Sequence, residues 1–140
     1  VRFLSSTEEE QLGKYLLLRA YIEEKRNAIA SYNQEPGRDP KVMADIRRLT
    51  NIGTLRAYIE SYLRNHPSIR QDMTLMVRQL QPASDGIPLE IYCFTATTEW
   101  AEYEGIQADI FDHLLAAVPE FDLAVFQSPS GRDVAALRAS

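Results

Sequence analysis

The sequence predicts an α+β fold, and three observations predict it. Two runs with period-two alternation stand close together, Met73 to Arg78 and Ile87 to Phe94. A helical stripe precedes them and another follows. Between the two runs, Pro82-Ala83-Ser84-Asp85-Gly86 is a turn-forming loop, so the pair reads as a β-hairpin flanked by helices.

At the N-terminus, Val1 to Ser5 is strand-like. Ser6-Thr7-Glu8-Glu9 has the spacing of a capping box, in which the Ser side chain accepts from the third helical amide and Glu9 reaches back. A long helix is expected from there to about Ser31. Leu12, Leu16, Arg19, Ile22 and Ile29 fall near one face, widened by Leu17, Leu18 and Tyr21, with Glu23 to Arg26 facing solvent. Asn33 to Pro40 reads as a loop because Pro36-Gly37 and Asp39-Pro40 are turn signals. A short helical or irregular stretch follows it, then a brief strand at Arg47-Arg48-Leu49-Thr50.

After Gly53, the residues Leu55, Tyr58, Ile59, Tyr62 and Leu63 fit helical spacing, and His66-Pro67 ends the run because proline cannot continue the ladder. In the hairpin, Met73, Leu75 and Val77 share one face, as do Ile87, Leu89, Ile91 and Cys93; Glu90, Tyr92 and Phe94 take the opposite face. A further helix starts near Thr97 or Thr98, with Glu99 and Glu102 favoured by the dipole of its first turns. Its stripe is Trp100, Tyr103, Ile106, Ile110 and Leu114, flanked by Phe111 and Leu115, and Pro119 stops it. Leu123, Val125 and Phe126 suggest a last strand, ended by Ser128-Pro129-Ser130-Gly131. The order helix-hairpin-helix-strand is that of a ferredoxin-like α/β sandwich whose first strand is weak or missing, preceded by a long helix. Three parts are expected: 1–46 with the N-terminal strand, long helix and loop; 47–131 as the ferredoxin-like unit; and 132–140 as a flexible tail.

Composition narrows the function. The 140 residues are 45% hydrophobic and 25% charged, ordinary for one globular domain, with a formal net charge of -5. Nucleic-acid binding depends on Lys and Arg neutralising phosphates, so an acidic domain is poorly suited to it, and to anionic lipid as well. The single cysteine, Cys93, allows no internal disulfide and fits a reducing compartment. No apolar run approaches the roughly 20 residues of a membrane span. The opening Val1-Arg2-Phe3-Leu4 has neither an initiator Met nor a signal-peptide pattern, and reads as a piece of a longer chain with any membrane part upstream.

A search for chemistry returns no catalytic, cofactor-binding or metal-ligating set. His66 and His113 have no His or Cys at ligand spacing and read as structural. Cys93, on the inner face of a strand, reads as a small buried hydrophobe. The glycines are isolated, so neither a dinucleotide fingerprint nor a phosphate-binding loop is present. Some ferredoxin-like enzymes need a glycine-rich anion loop after the first strand, where only Gly53 stands here. Tyr92 and Phe94, on the face opposite the helices, are placed as base-stacking aromatics are in RNA-recognition domains, but Glu90 beside them and the lack of basic flanks argue against that use. Tyr92 and Phe94 read instead as contacts to a neighbouring subunit or to a second layer of the same protein, and Trp100 and Tyr103 as core or interface anchors; these four are the candidate interface residues.

Three stretches together carry a resemblance: Arg47-Arg48-Leu49-Thr50-Asn51-Ile52-Gly53-Thr54-Leu55-Arg56-Ala57-Tyr58; Met73-Thr74-Leu75-Met76-Val77-Arg78-Gln79-Leu80; and Leu89-Glu90-Ile91-Tyr92-Cys93-Phe94-Thr95 running on to Trp100-Ala101-Glu102-Tyr103. The region Ile106 to Phe126, with Asp109-Ile110-Phe111-Asp112-His113-Leu114, extends it. They resemble the cytoplasmic C-terminal region of small-conductance mechanosensitive channels, in the miniconductance branch. The resemblance implies a non-enzymatic domain of a channel whose N-terminal membrane helices and pore lie outside this chain. It implies a homo-oligomer, usually a heptamer, with the cytoplasmic parts forming a vestibule on the inner face of a bacterial membrane. The pore of such channels opens under tension in hypo-osmotic shock. It further implies that the first strand of the sheet lies upstream of Val1. Ser6 to Ile46 has no counterpart in the shortest members and reads as a branch-specific insertion. A ferredoxin-like regulatory domain that senses a small molecule at a subunit interface is the competing reading.

Overall fold

A computed structural model describes residues 1–38, 47–128 and 130–139. The elements run α1 (Ser6–Gly13), α2 (Arg19–Asn33), α3 (Asn51–Arg64), β1 (Met76–Gln79), β2 (Leu89–Tyr92), α4 (Trp100–Ala117), a 3-10 turn (Val118–Phe121) and α5 (Gly131–Ala139). The class is α+β, and the helix-hairpin-helix order stands as the sequence predicts. The sheet has two strands, β1 antiparallel to β2, with Val77 opposite Ile91 and Arg78 opposite Glu90. Arg78 and Glu90 form a cross-strand ion pair on the outer face.

The hairpin ladder is longer than its two strands. Leu80 N–H donates to Pro88 at 2.9 Å, and Ala83 and Gly86 bond each other in both directions at the tip. Gly86 sits at φ 118°, a conformation closed to residues with a β-carbon, which is why the Asp-Gly signal marks this turn. Toward the other end, residues 71–75 loop out, and pairing resumes with Ile69 opposite Thr95.

The expected single long helix is broken in two. Lys14 and Tyr15 donate to Gln11 and Leu12, and Leu18 donates to Tyr15, so the chain turns between α1 and α2. The reason lies in the apolar positions. At about 100° per residue, Leu18 would stand roughly 240° from Leu12 on a continuous helix. The break at Gly13 brings Leu12, Leu18 and Ile22 all into the core, while Leu16, placed on the inner face by the single-helix reading, is exposed. Capping begins one residue earlier than the sequence suggests. Ser5 Oγ accepts from Glu8 N–H at 3.2 Å and Glu8 Oε1 accepts from Ser5 N–H at 3.0 Å. Burial of Leu4 and the pairing of Arg2 with Glu8 set that register.

The brief strand expected at Arg47 to Thr50 and the strand-like N-terminus meet each other. Phe3 bridges Thr50, and Leu4 N–H donates to Leu49 at 2.7 Å. Thr50 then caps α3, its Oγ1 accepting from Gly53 N–H at 3.1 Å. A β-carbon on Gly53 would lie 2.9 Å from that hydroxyl, so the close approach requires glycine. Ile52, Leu55, Ile59 and Leu63 line the buried face of α3.

Asn51 ties three segments together. It is 1% exposed, and its Oδ1 accepts from the amides of Arg2 (3.0 Å) and Ile52 (2.9 Å). Its Nδ2 donates to the carbonyls of Phe121 (3.1 Å) and Asp122 (3.3 Å). Arg2 makes a parallel connection at the surface, pairing with Glu8 and reaching Asp122 through Nε at 3.0 Å.

A further expectation is corrected. Leu123, Val125 and Phe126 form no strand: no sheet edge takes them, and only Leu123 packs on the core. The tail carries α5, with Ser130 Oγ and the Asp133 carboxylate bonding each other's backbone as a capping box. The turn signal Asp39-Pro40, the stretch to Ile46 and Pro129 lie outside the described residues. Pro36-Gly37 does form a turn, and the Asn33 side chain bonds both backbone groups of Arg47.

Two outcomes are expected. Asn51→Ala leaves buried backbone groups in three segments unpartnered and lowers unfolding free energy by about 3 kcal/mol in urea titration; a loss near zero contradicts the role given to this side chain. Glu8 is held down to about 2 from its ordinary 4.5, first by the Arg2 guanidinium and then by the Ser5 amide. Its folded pKa is depressed, so its contribution is full above pH 4.5 and fades as pH falls through about 2. Thermal melts across that window should show a flatter acid dependence in Glu8→Gln than in the parent chain. Parallel curves would rule the contribution out.

Candidate assembly surface

The hairpin lies against α3 and α4, and this cover is incomplete. Leu75 and Val77 of the first run are buried, whereas Leu89, Ile91 and Cys93 of the second remain half-buried. Two hollows explain the difference. One, of about 620 Å³, opens beside β2 and is lined by Leu89, Ile91, Phe111, Leu115, Val125 and Phe126 among others. The second, of about 130 Å³, lies between Cys93, Tyr103, Ile106 and Ile110. Burial raises the Cys93 thiol pKa, the opposite of what a nucleophile needs.

On the rim of the larger hollow, Phe111, Leu115, Val125 and Phe126 are each about half exposed. Phe111 and Leu115 stand one turn apart on α4, so the helix shows one apolar stripe to the core through Ile110 and Leu114 and a second to solvent. A helix apolar on two sides has a second surface to cover. The spacing was visible in the sequence, where these two residues flank the main stripe. Their exposure was not, because it depends on Leu123 to Phe126 failing to form a strand over them.

The four aromatic residues expected at an interface divide into two groups. Tyr92 and Phe94 meet edge to face, with ring centroids 5.5 Å apart, on the outer face of the hairpin. Tyr92 is 47% exposed and Phe94 half-buried. Trp100 and Tyr103 sit in the first turn of α4, where Trp100 is 75% exposed and Tyr103 leans over the smaller hollow. No ring contact links the two groups among the described residues.

A third cluster was missed in the sequence. The His113 ring lies between Tyr62, stacked at 4.3 Å, and Tyr58, whose hydroxyl is 2.8 Å from Nε2. Tyr58 also tilts against Phe121 at 5.4 Å, and Tyr15 contacts both rings edge-on. Helical spacing gives Tyr58 and Tyr62 as neighbours; the partners Tyr15, His113 and Phe121 come from three other elements. Burial raises the pKa of all three tyrosines, so the cluster is held together by uncharged phenols. Among the described residues, no set of His, Cys, Asp and Glu is grouped to hold a metal ion, and no helix is long and apolar enough to cross a membrane.

Comparison with known proteins gives the family. Residues 44–125 match the family described as mechanosensitive ion channel MscS, C-terminal. Over 60 residues the chain is 38% identical to the low conductance mechanosensitive channel YnaI of Escherichia coli (strain K12). That stretch is 43% of this chain and 18% of YnaI, so the chain matches less than a fifth of that relative's length. With the family matched over more than half of its length, the chain belongs to the C-terminal domain family of MscS mechanosensitive ion channels.

Proposed function

We propose that this chain is a cytoplasmic wall segment of an oligomeric mechanosensitive channel, assembling with copies of itself around the path that solutes take on hypo-osmotic shock. The observation that carries the reading is the apolar surface left open beside the hairpin. Monomeric proteins seldom leave half-exposed Phe, Leu and Val side by side around a hollow of about 620 Å³. The family match and the channel relative support the setting, a membrane protein whose spanning part is elsewhere in its chain. A ring of identical subunits, seven in our reading, needs heterologous contacts, in which one patch meets a different patch on the next copy. Phe111, Leu115 and Phe126 supply one patch, and the pair Tyr92 and Phe94 on the outer face of the hairpin supplies the other, with Trp100 and Tyr103 at the start of α4 as further contacts. The negative net charge fits a wall that faces the cytosol rather than lipid headgroups.

Division of the chain follows the same reading. Residues 47–131 are the family's unit and 1–46 an addition to it, supported by a family match that starts at residue 44. The domain does no catalysis in this role.

Two measurements test the proposal. The isolated chain is expected to be a monomer or weak oligomer by light scattering, because the membrane part supplies the effective concentration for ring closure; a stable heptamer would contradict this. In the full-length channel, Phe111→Glu or Trp100→Ser should lower cross-linking between cytoplasmic domains. The same variants should reduce survival of hypo-osmotic shock in cells lacking other mechanosensitive channels, and neither should shift the melting temperature of the isolated chain. Unchanged cross-linking and survival in both variants would exclude these patches as the contact.

A further inference from the structure

The aromatic cluster missed in the sequence encloses a space of its own. A hollow of about 480 Å³ lies where the α1–α2 turn, α3, α4 and the 3-10 turn converge, a volume within the range of small-molecule sites. Its lining includes the rings of Tyr15, Tyr58, His113 and Phe121, together with Leu16, Leu17 and the small residues Ala116 and Ala117.

The charged side chains of this hollow are few. Glu120 is the carboxylate that lines it, and no Lys or Arg lines it. Glu120 Oε2 accepts from the Tyr15 hydroxyl at 3.2 Å, which fixes the carboxylate against the ring wall. No basic residue pairs with this carboxylate in any ion pair of the described residues. The rings add to the same sign, since aromatic faces carry the negative end of their quadrupole. The Tyr58 hydroxyl lies 2.8 Å from His113 Nε2, so these two polar atoms are engaged with each other.

We propose that this hollow binds a small organic cation of the alkylammonium class, its charge placed against the Glu120 carboxylate and its alkyl groups against the rings of Tyr15, Tyr58 and Phe121 that line it. The chemistry is that of an aromatic cage. A quaternary or alkylated ammonium is weakly hydrated, so it loses little on leaving water and gains both ring and carboxylate attraction. A neutral molecule of the same shape keeps the contact area and loses the charge. An anion is repelled by Glu120 and by the ring faces alike. Occupancy would link the α1–α2 turn to α3, α4 and the 3-10 turn, because each contributes a wall.

The test uses the 140-residue chain in solution and does not depend on assembly, so it stands or falls apart from the reading above. Choline is titrated while the ring signals of Tyr15, Tyr58 and Phe121 are followed by NMR. Its uncharged isostere, with a quaternary carbon in place of the nitrogen, is titrated in parallel. Saturable choline binding is expected, with the isostere about tenfold weaker. Glu120→Gln, at an exposed position that should leave the melting temperature unchanged, is expected to weaken choline binding about tenfold and leave the isostere's binding alone. Equal binding of choline and isostere would overturn the proposal, since the hollow would then select for shape alone. So would unchanged choline affinity in Glu120→Gln, or the absence of saturable shifts at these rings.

Discussion

Everything else in this fold depends on a single buried amide. Asn51 stands at the first position of α3 with each polar atom of its side chain bonded to backbone from elsewhere in the chain or from the helix start itself. A buried amide is costly to strand and modest in net worth when satisfied, so its value here is positional. It fixes where the N-terminal segment crosses, where α3 begins and where the 3-10 turn after α4 must end. The left-handed Asp122, at φ 53°, brings two successive carbonyls toward the one amide nitrogen. Arg2 makes a second connection outside, from the N-terminal segment to α1 at Glu8 and to the turn at Asp122, so that segment and the turn are joined by a dry contact and a wet one. Of the two, the dry contact is the less sensitive to salt.

From this junction α3 runs back under the hairpin. A two-stranded hairpin is marginal alone in water and needs a partner face. Here α3 gives that face to β1, with Val77, Leu75 and Ile69 in the shared core, while hollows open along β2. The sheet is therefore anchored on one strand and open beside the other. The hollow and the exposed stripe of α4 are one feature seen from two sides: the surface that a further strand would cover lies bare, and Val125 and Phe126 reach its rim without closing it.

Sequence patterns reveal the parts of the fold where a periodicity meets a continuous face. The stripe of α3, the hairpin and the stop at Pro119 are of this kind. They do not reveal features that depend on distant partners. Nothing near Asn51 in the sequence points to Phe121 or Arg2, because an Asn after a Thr at a helix start reads as capping chemistry and its long-range bonds leave no local trace. The division of α1 from α2 was encoded in the angle between Leu12 and Leu18, but Leu16 and Leu17 supply enough apolar residues to let one helix seem sufficient. Leu123 to Phe126 has strand-forming residues and no available edge, so propensity fails there for want of a partner. For the candidate surface, Tyr92, Phe94, Trp100 and Tyr103 could be named from alternation and spacing. The stripe of Phe111 and Leu115 could be named too, though its exposure could not. The cage of Tyr15, Tyr58 and Phe121 could not be found at all, since its members share no element.

The N-terminal segment links these observations. Through Leu4, Leu12, Leu18 and Ile22 it completes the core. Through Arg2 it holds the 3-10 turn, and through Tyr15 it raises one wall of the aromatic hollow and orients Glu120. A segment that only padded the domain would need the apolar contacts alone. This one also fixes polar groups on the turn that follows α4, and Leu123 to Phe126 leaves from that turn. The positions of Val125 and Phe126 at the rim are thus set from both sides: by Asn51 and Arg2 at the base of the turn, and by Tyr15 and Phe121 within it. A change at the Tyr15 wall must then act first on Glu120 and Phe121, and only through them on the apolar rim.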